Sequence, residues 1–194
     1  MSRNGPEGAS DSPLKLQPAC RALAAGGIVA YPTEAVWGFG CDPRNEAAVQ
    51  KLLALKKRDW RKGLILIAAD FSQLQPYVRT VADALLRKAL ATWPGPHTWL
   101  FPAADSAPAL VTGGRPTIAV RVTAHPLAAA LCRAAGGALV STSANRSGEP
   151  PALTALRVRQ RFGAALGAVV SGPLGGLKSP TSIRDLVSGA EVRA

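Results

Sequence analysis

The sequence has few of the residues from which metal centres and disulfide frameworks are built. Its three cysteines, Cys20, Cys41 and Cys132, are scattered without a C-x-x-C pair, and its two histidines are His97 and His125. An odd, scattered set of cysteines is typical of reduced thiols in a cytoplasmic protein. Because neither histidine lies at ligand spacing from a cysteine, we expect no zinc site built from side chains.

Acidic residues and long apolar runs are also scarce. The chain has 12 Asp and Glu against 23 Lys and Arg, which gives a formal net charge of +11. Such an excess predicts a polyanionic partner: nucleic acid, nucleotide phosphates or an acidic surface. No apolar run approaches the roughly 20 residues that a membrane helix needs. The N-terminal residues 1–13 lack the apolar stretch of an export signal.

Length and pattern predict one domain in which helices and strands alternate. With 47% hydrophobic residues, the 194-residue chain can bury a substantial core. We predict a flexible leader at 1–13 and a single domain at 14–194. Periodicity and caps predict helices at 16–25, from an Asn45 cap to 55, 81–90, 125–133 and 154–162. Apolar runs predict strands at 28–31, 64–68, 98–101, 118–122, 139–140, 169–170 and near 183.

Several of these strands follow one another with little chain between them. That succession favours an α/β fold with a twisted, open, mixed sheet flanked by helices over a doubly wound parallel one. Pro- and Gly-rich breaks at 94–96, 113–116, 148–151 and 172–176 are too short to be domain linkers. They are typical of loops at strand ends, where α/β folds bind their ligands.

Two segments look like nucleotide-binding motifs but fail a specific requirement. "GPLGGLKS" at 172–179 has Leu177 between the last glycine and Lys178, whereas a phosphate-binding loop needs glycine directly before the lysine. "GFGCDP" at 38–43 has Pro43 where a dinucleotide fingerprint needs its third glycine. We interpret both as turns, so a nucleotide site would have to be of another kind.

A basic cluster at 55–62, "LKKRDWRK", precedes a predicted buried strand. A solvated helix end would suffice to explain Lys57 and Lys62, because cations are favoured near a helix C-terminus. A triphosphate would equally suit a lysine and a planar arginine fork such as Lys56 and Arg58. Charge alone leaves the two interpretations equal.

Arg121 is a cation inside the apolar strand "IAVRV". An unpaired charge there would be costly, so it needs a carboxylate from a ligand or from an internal Asp or Glu, and both alternatives stay open. Thr33, after "YPT", is equally consistent with an ordinary turn hydroxyl.

The stretch 139–151, "LVSTSANRSGEPP", places small polar groups where a strand is predicted to end. Turn and cap chemistry would explain one or two of these hydroxyls. Ser141, Thr142, Ser143 and Asn145 together form a better donor and acceptor array for a polar ligand.

Several motifs in order resemble the YrdC/TsaC family of threonylcarbamoyl-AMP synthases. They are "YPTEAVWGFG", "LKKRDWRKGLILIA", "WPGPHTWLFPA", "TIAVRVTAHPL" and "STSANRSGEPP", and they run from about Leu16 to the C-terminus. The paired K-x-R and S-x-N elements are present as Lys56, Arg58, Ser143 and Asn145.

The resemblance implies a twisted open sheet with a positively charged concave face, and a reaction. L-threonine, bicarbonate or CO2, and ATP would give threonylcarbamoyl-AMP and pyrophosphate, for N6-threonylcarbamoyladenosine in tRNA. Lys56, Arg58, Ser143 and Asn145 would form the catalytic set. The residues implied to bind ATP are Lys56, Arg58, Thr117, Ser143, Asn145 and Arg193, and those implied to bind threonine are Thr33, Arg121, Ser141 and Thr181. Mg²⁺ would arrive with ATP and need no side-chain ligands.

The resemblance is to the short bacterial branch, which works with separate TsaB, TsaD and TsaE proteins. Longer relatives carry a histidine where this chain has Ile67 or Ala68, and they have an extra C-terminal domain. Ala35 and Trp37 also replace a common Thr and Tyr.

Two rival functions stay open, and one of them belongs to another functional class. A non-catalytic RNA-binding or ribosome-maturation module would suit the charge equally well. However, aromatic residues make up only 5%, and no RNA-binding module pattern is present. A carbamoyl-transfer enzyme acting on another amino acid is the third alternative. A tRNA or double-stranded RNA contact on the basic face is compatible with the enzyme.

Overall fold

Nine strands form one open mixed sheet in the computed structural model, which describes residues 13–177 and 181–193. The strands are β1 (Val29–Pro32), β2 (Trp37–Gly40), β3 (Ile65–Ala68), β4 (Thr98–Pro102), β5 (Thr117–Val122), β6 (Leu139–Ser143), β7 (Ala168–Val169), β8 (Ile183–Asp185) and β9 (Glu191–Arg193). Their order is β7-β1-β2-β6-β3-β5-β4-β8-β9. The pairs β7–β1, β3–β5 and β4–β8 are parallel, and the other neighbours are antiparallel.

Six α-helices pack against this sheet within the described residues. They are α1 (Pro13–Ala24), α2 (Glu46–Lys56), α3 (Asp83–Leu90), α4 (Ala109–Thr112), α5 (Pro126–Ala134) and α6 (Ala155–Phe162). Side-chain caps fix three of the starts, because Asn45, His125 and Thr154 each accept a hydrogen bond from the first turn of their helix. The predicted α/β class with an open mixed sheet is confirmed. Residues 1–12 of the predicted leader lie outside the described residues.

Two local predictions were wrong. "WGFG", of which the last three residues were interpreted as part of a turn, is strand β2, which forms a hairpin with β1. Glycine weakens the sequence pattern of a strand, so β2 was not predicted. Glycine is nevertheless required at Gly40, because a Cβ there would lie 2.6 Å from the Val140 carbonyl oxygen. The strand predicted to end at Val140 continues to Ser143, so the three hydroxyls lie within β6.

The two faces of the sheet are covered by different helices. One core cluster joins Phe39, Leu66 and Val120 to α2 and α6. The second joins Tyr31 and Ile67 to α1 and α5 on the opposite face. Side chains alternate between faces along each strand, so residues in register with Ile67 share the α1/α5 face. Those helices cover only part of that face, and the rest of it carries the polar side chains.

Candidate functional site

The uncovered part of the α1/α5 face forms the floor of a cavity of about 600 Å³. Thr117, Ala119 and Arg121 are alternate residues of β5 and line it together, and Ser141 and Ser143 do the same from β6. The register brings these rows together, because Ile65 of β3 pairs with both Ala119 and Ser141. The period of two in the strands therefore places hydroxyls and a guanidinium on one concave surface.

Seven of the ten site residues predicted from the sequence line this one cavity. They are Thr33, Arg58, Thr117, Arg121, Ser141, Ser143 and Thr181. Lys56 and Asn145 do not line the cavity themselves, but both form hydrogen bonds with Ser143, which does. Arg193 ends β9, but its side chain lies outside the described residues.

A basic rim borders the cavity, and the sequence interpretation recognised only part of it. Arg58, Lys62 and Arg115 all line the cavity. Arg58 Nη2 donates to the Gly63 carbonyl oxygen at 2.8 Å, and Arg115 Nη1 donates to that of Lys62 at 3.3 Å. Lys62 had been assigned to a solvated helix end, and Arg115 was missed. The signal that could have revealed Arg115 is its place in a glycine turn directly before β5.

The loop at 57–63, which carries Arg58 and Lys62 of the rim, is shaped by two residues with positive φ. Lys57 ends α2 with φ 50°, and Gly63 has φ 65°. A Cβ at Gly63 would lie 3.3 Å from the carbonyl oxygens of Val111 and Thr112, so the loop packs closely against α4. Between them Asp59 accepts a hydrogen bond from the Arg61 amide at 3.0 Å. The loop thereby turns Arg58 and Lys62 to the cavity.

Lys56 holds the S-x-N turn, residues 143–145, by hydrogen bonds to its backbone. It is 2% exposed, and its Nζ donates to the carbonyl oxygens of Ser143 and Asn145 at 2.5 and 2.8 Å. The Ser143 hydroxyl donates to Asn145 Oδ1 at 2.6 Å, and Asn145 Nδ2 donates to the Glu149 carbonyl oxygen. Burial, and after it the charge of Arg58, lowers the pKa of Lys56 to about 8. The contacts made by Lys56 are therefore those of a brace for the turn, and its predicted phosphate contact stays a prediction.

This lowered pKa predicts a pH-dependent contribution to stability. The unfolded chain holds the Lys56 proton up to its ordinary pKa of 10.5, whereas the folded chain releases it near 8. Because the unfolded state binds more protons in that window, stability should rise with pH there, by up to about 1.4 kcal/mol per pH unit. We expect the free energy of unfolding of the wild type, minus that of Lys56→Met, to increase between pH 8 and 10. A flat or falling difference in urea titrations would contradict the lowered pKa.

Arg121 has an internal carboxylate partner. Its Nη2 lies 3.4 Å from Glu34 Oε2, and both side chains are almost fully buried. Nη1 donates to the hydroxyls of Thr181 at 2.5 Å and Thr98 at 3.4 Å. The internal ion pair that the sequence left open is therefore present, while Arg121 also lines the cavity. Glu34 is a residue that sequence reasoning missed, although it stands next to Thr33 in "YPTE".

The contacts of Thr33, and of the two positions where longer relatives carry a histidine, show which of them belong to the cavity. The Thr33 hydroxyl donates to the Val36 carbonyl oxygen at 2.7 Å, as a turn hydroxyl does, and the residue also lines the cavity. Ile67 packs in the core under α1 and α5, and Ala68 packs in the core on the other face. Neither position contributes to the cavity lining.

The donor set of the cavity suits an anionic, oxygen-rich ligand. Its polar side chains are hydroxyls and cations. Within 13–177 and 181–193, no three or more His, Cys, Asp or Glu side chains are grouped to hold a metal ion. Over the same residues, no helix is both long and apolar enough to cross a membrane.

The fold and the site define a class: α/β proteins with a basic, hydroxyl-lined cavity on the open face of a mixed sheet. The sequence model of the Sua5, YciO and YrdC family, described as telomere recombination, matches residues 21–193. The chain belongs to this family.

Relatives within the family match over nearly their whole length. The threonylcarbamoyl-AMP synthase of Alkalilimnicola ehrlichii is 60% identical over 176 residues, which cover 89% of this chain and 91% of that protein. The protein of the same name from Halorhodospira halophila is 57% identical, with 93% and 95% covered.

Solved structures share the fold. Sua5 of P. abyssi, complexed with L-threonine, is 30% identical with a TM-score of 0.84. The match covers 90% of this chain but 51% of that one, so this chain spans about half the length of Sua5. YciO of E. coli, 24% identical with a TM-score of 0.78, supports the fold alone.

Proposed function

We propose that this chain is an L-threonylcarbamoyladenylate synthase, which makes threonylcarbamoyl-AMP and pyrophosphate from L-threonine, bicarbonate or CO2, and ATP. One observation carries the proposal: a single cavity is lined by a basic rim suited to a triphosphate and, across its floor, by a guanidinium suited to a carboxylate. The names of relatives at 57–60% identity and the L-threonine complex of Sua5 point to the same substrates.

The reaction needs positioning more than a side-chain nucleophile. The amine of threonine adds to CO2 and loses a proton, which gives a carbamate. A carbamate oxygen then attacks the α-phosphorus, the bond to the bridging oxygen breaks, and pyrophosphate leaves. Holding the carbamate and ATP together makes that step effectively unimolecular. Cations placed where charge develops lower the barrier further.

The residues divide between the two substrates by their place on the sheet. Arg58, Lys62 and Arg115 would contact the phosphates, with charge-assisted hydrogen bonds. Arg121 would contact the carboxylate of threonine, beside Thr181. Ser143 stands between the two groups at the end of β6 and would contact the nucleotide, held in place through Asn145 and Lys56.

Mg²⁺ would be held by phosphate oxygens and water. Among the described residues that line it, the cavity has hydroxyls and cations and no carboxylate group, so its donor set fits a metal ion carried on the triphosphate. When bound, the ion neutralises charge on the leaving pyrophosphate.

The product is a reactive adenylate that a second enzyme must consume. We propose that TsaB-, TsaD- and TsaE-type proteins receive it for transfer to tRNA in the cytoplasm. The exposed cations beside the cavity would permit tRNA or double-stranded RNA contact. The rival RNA-binding module is disfavoured because the cavity floor buries a guanidinium and hydroxyls, which a phosphate backbone would not reach.

The test is substrate dependence of pyrophosphate release. We expect release from MgATP to require both L-threonine and bicarbonate, and to fall to background when either is omitted. Equal release without threonine would replace this function by a simple ATPase or a binding module.

Arg121→Lys should impair both threonine use and stability. Lysine keeps the charge but loses the planar two-point grip on a carboxylate, so we expect the KM for threonine to rise about tenfold while the KM for ATP changes little. Because Arg121 also meets Glu34 and Thr181, the melting temperature should fall. Steady-state kinetics with threonine and ATP varied separately, alongside melting curves, measure both effects. A stability loss with an unaltered threonine KM would remove Arg121 from the site.

A further inference from the structure

The buried ion pair between Glu34 and Arg121 is close but incompletely engaged. The nearest atoms, Arg121 Nη2 and Glu34 Oε2, are 3.4 Å apart. Arg121 Nε and Glu34 Oε2 are both buried and have no hydrogen-bond partner among residues 13–177 and 181–193. An arginine and a carboxylate frequently form two parallel hydrogen bonds. This pair makes the charge contact without that fork.

Thr123 holds the carboxylate in this position. Its hydroxyl donates to Glu34 Oε1 at 2.6 Å, and the Thr123 hydroxyl oxygen in turn accepts from the His125 amide at 3.2 Å. Desolvation acts to raise the pKa of Glu34, but the charge of Arg121 and the Thr123 hydrogen bond leave that pKa below its ordinary value. Glu34 is therefore an anion, tied on one side to Thr123 and facing Arg121 on the other.

On its far side, Arg121 is fixed by hydroxyls that do not compete for its charge. Thr181 and Thr98 both accept from Nη1. These two contacts keep the guanidinium oriented at the cavity wall even without Glu34. The carboxylate of Glu34 consequently changes how strongly the Arg121 guanidinium attracts another anion, more than it changes the orientation of that guanidinium.

We infer that Glu34 is a positioning residue that sets how strongly Arg121 binds the carboxylate of the amino-acid substrate, with Thr123 restraining it from full pairing. The inference rests on the proposed function, in which threonine is that substrate. A ligand carboxylate at Arg121 shares one cation with Glu34, and two anions so close repel each other. Because the adenylate product keeps the same carboxylate, this balance also favours its release.

Two substitutions should change threonine affinity in opposite directions. Glu34→Gln keeps the shape and removes the competing charge, so we expect the KM for threonine to fall about tenfold. Thr123→Val removes the restraint and lets Glu34 complete its fork with Arg121, so we expect that KM to rise about three- to fivefold. Thr123→Ser restores the hydroxyl and should return the wild-type value. The KM for ATP should change in none of them.

A matched control is Asp105→Asn, which breaks the exposed ion pair with Arg79 away from the cavity and should leave both KM values unaltered. A rise or no change in the threonine KM of Glu34→Gln would overturn the inference, and so would a fall or no change in Thr123→Val. If Glu34→Gln does not fold, the Thr123→Val and Thr123→Ser pair decides. A wild type without threonine-dependent pyrophosphate release would instead overturn the proposed function itself, before any variant is compared.

Discussion

Arg58→Ala should slow adenylate formation by about ten- to hundredfold, the loss expected for one charge-assisted contact of roughly 1.5–3 kcal/mol. Arg58 lines the cavity and is held by the Gly63 carbonyl oxygen, so its guanidinium is positioned before a triphosphate arrives. Because the contact is with ATP, the defect should appear as weaker ATP binding or a lower kcat, with a folded protein. Pyrophosphate release at varied ATP concentration, with a melting curve, measures both.

Arg61→Ala is the matched control for this prediction. Arg61 belongs to the same loop, lies about 5.6 Å over the Trp60 ring, and does not contribute to the cavity lining. Its removal changes the net charge by the same amount, so long-range attraction for ATP is matched. Equal losses of activity in both variants would mean that overall charge causes the effect. Unchanged turnover in Arg58→Ala would mean that the basic cluster at 55–62 is a solvated surface that does not contact ATP.

Lys56→Met should lower the free energy of unfolding by about 2–6 kcal/mol and also reduce turnover. The substitution keeps most of the buried side-chain volume but leaves the carbonyl oxygens of Ser143 and Asn145 without their donor, and buried acceptors of this kind cost about 1–3 kcal/mol each. With its brace removed, the turn would no longer hold the Ser143 hydroxyl at the cavity wall. Urea titration measures the stability, and pyrophosphate release measures the turnover.

Lys51→Ala serves as the control, since Lys51 lies on the same helix with an exposed side chain and at most a long contact, 3.4 Å, to the Gly26 carbonyl oxygen. We expect its stability to change by less than about 0.5 kcal/mol. If Lys56→Met keeps wild-type stability but loses ATP binding, Lys56 contacts phosphate directly and is not a brace. If both stability and turnover are unchanged, neither role stands.

The sequence predicts best those elements whose signals are local. The Asn45 cap and the buried run at 64–68 each needed only a few neighbouring residues, and the structure has α2 and β3 there. The hairpin of β1 and β2 was missed because Gly38 and Gly40 weaken strand propensity. The requirement for glycine at Gly40 comes from β6, a hundred residues away.

In the candidate site, too, local features could be predicted from the sequence and contacts between distant parts of the chain could not. Arg121 was identified by its charge within an apolar strand, Ser141 and Ser143 by the polar cluster after Val140, and the family resemblance placed all three in the site. The strand spacing that puts Ser141 and Ser143 on one surface was not predicted, because β6 was expected to end at Val140. The contacts of Arg121 with Glu34 and Thr181 could not be predicted, because these residues come from distant parts of the chain. For Lys56, the sequence indicates a cation beside the cavity but not that its Nζ is used by the backbone of the S-x-N turn. Those contacts depend on how β6 lies over α2.

Isotope incorporation shows whether the protein joins threonine, a one-carbon unit and AMP in one product. The protein is incubated with MgATP, L-threonine and ¹³C-bicarbonate, and the nucleotide product is examined by mass spectrometry. We expect threonylcarbamoyl-AMP carrying one heavy carbon, with one pyrophosphate released per adenylate formed. Pyrophosphate release with an adenylate that carries threonine but no label, or with free AMP alone and no carbamoyl adduct, would contradict the proposed function.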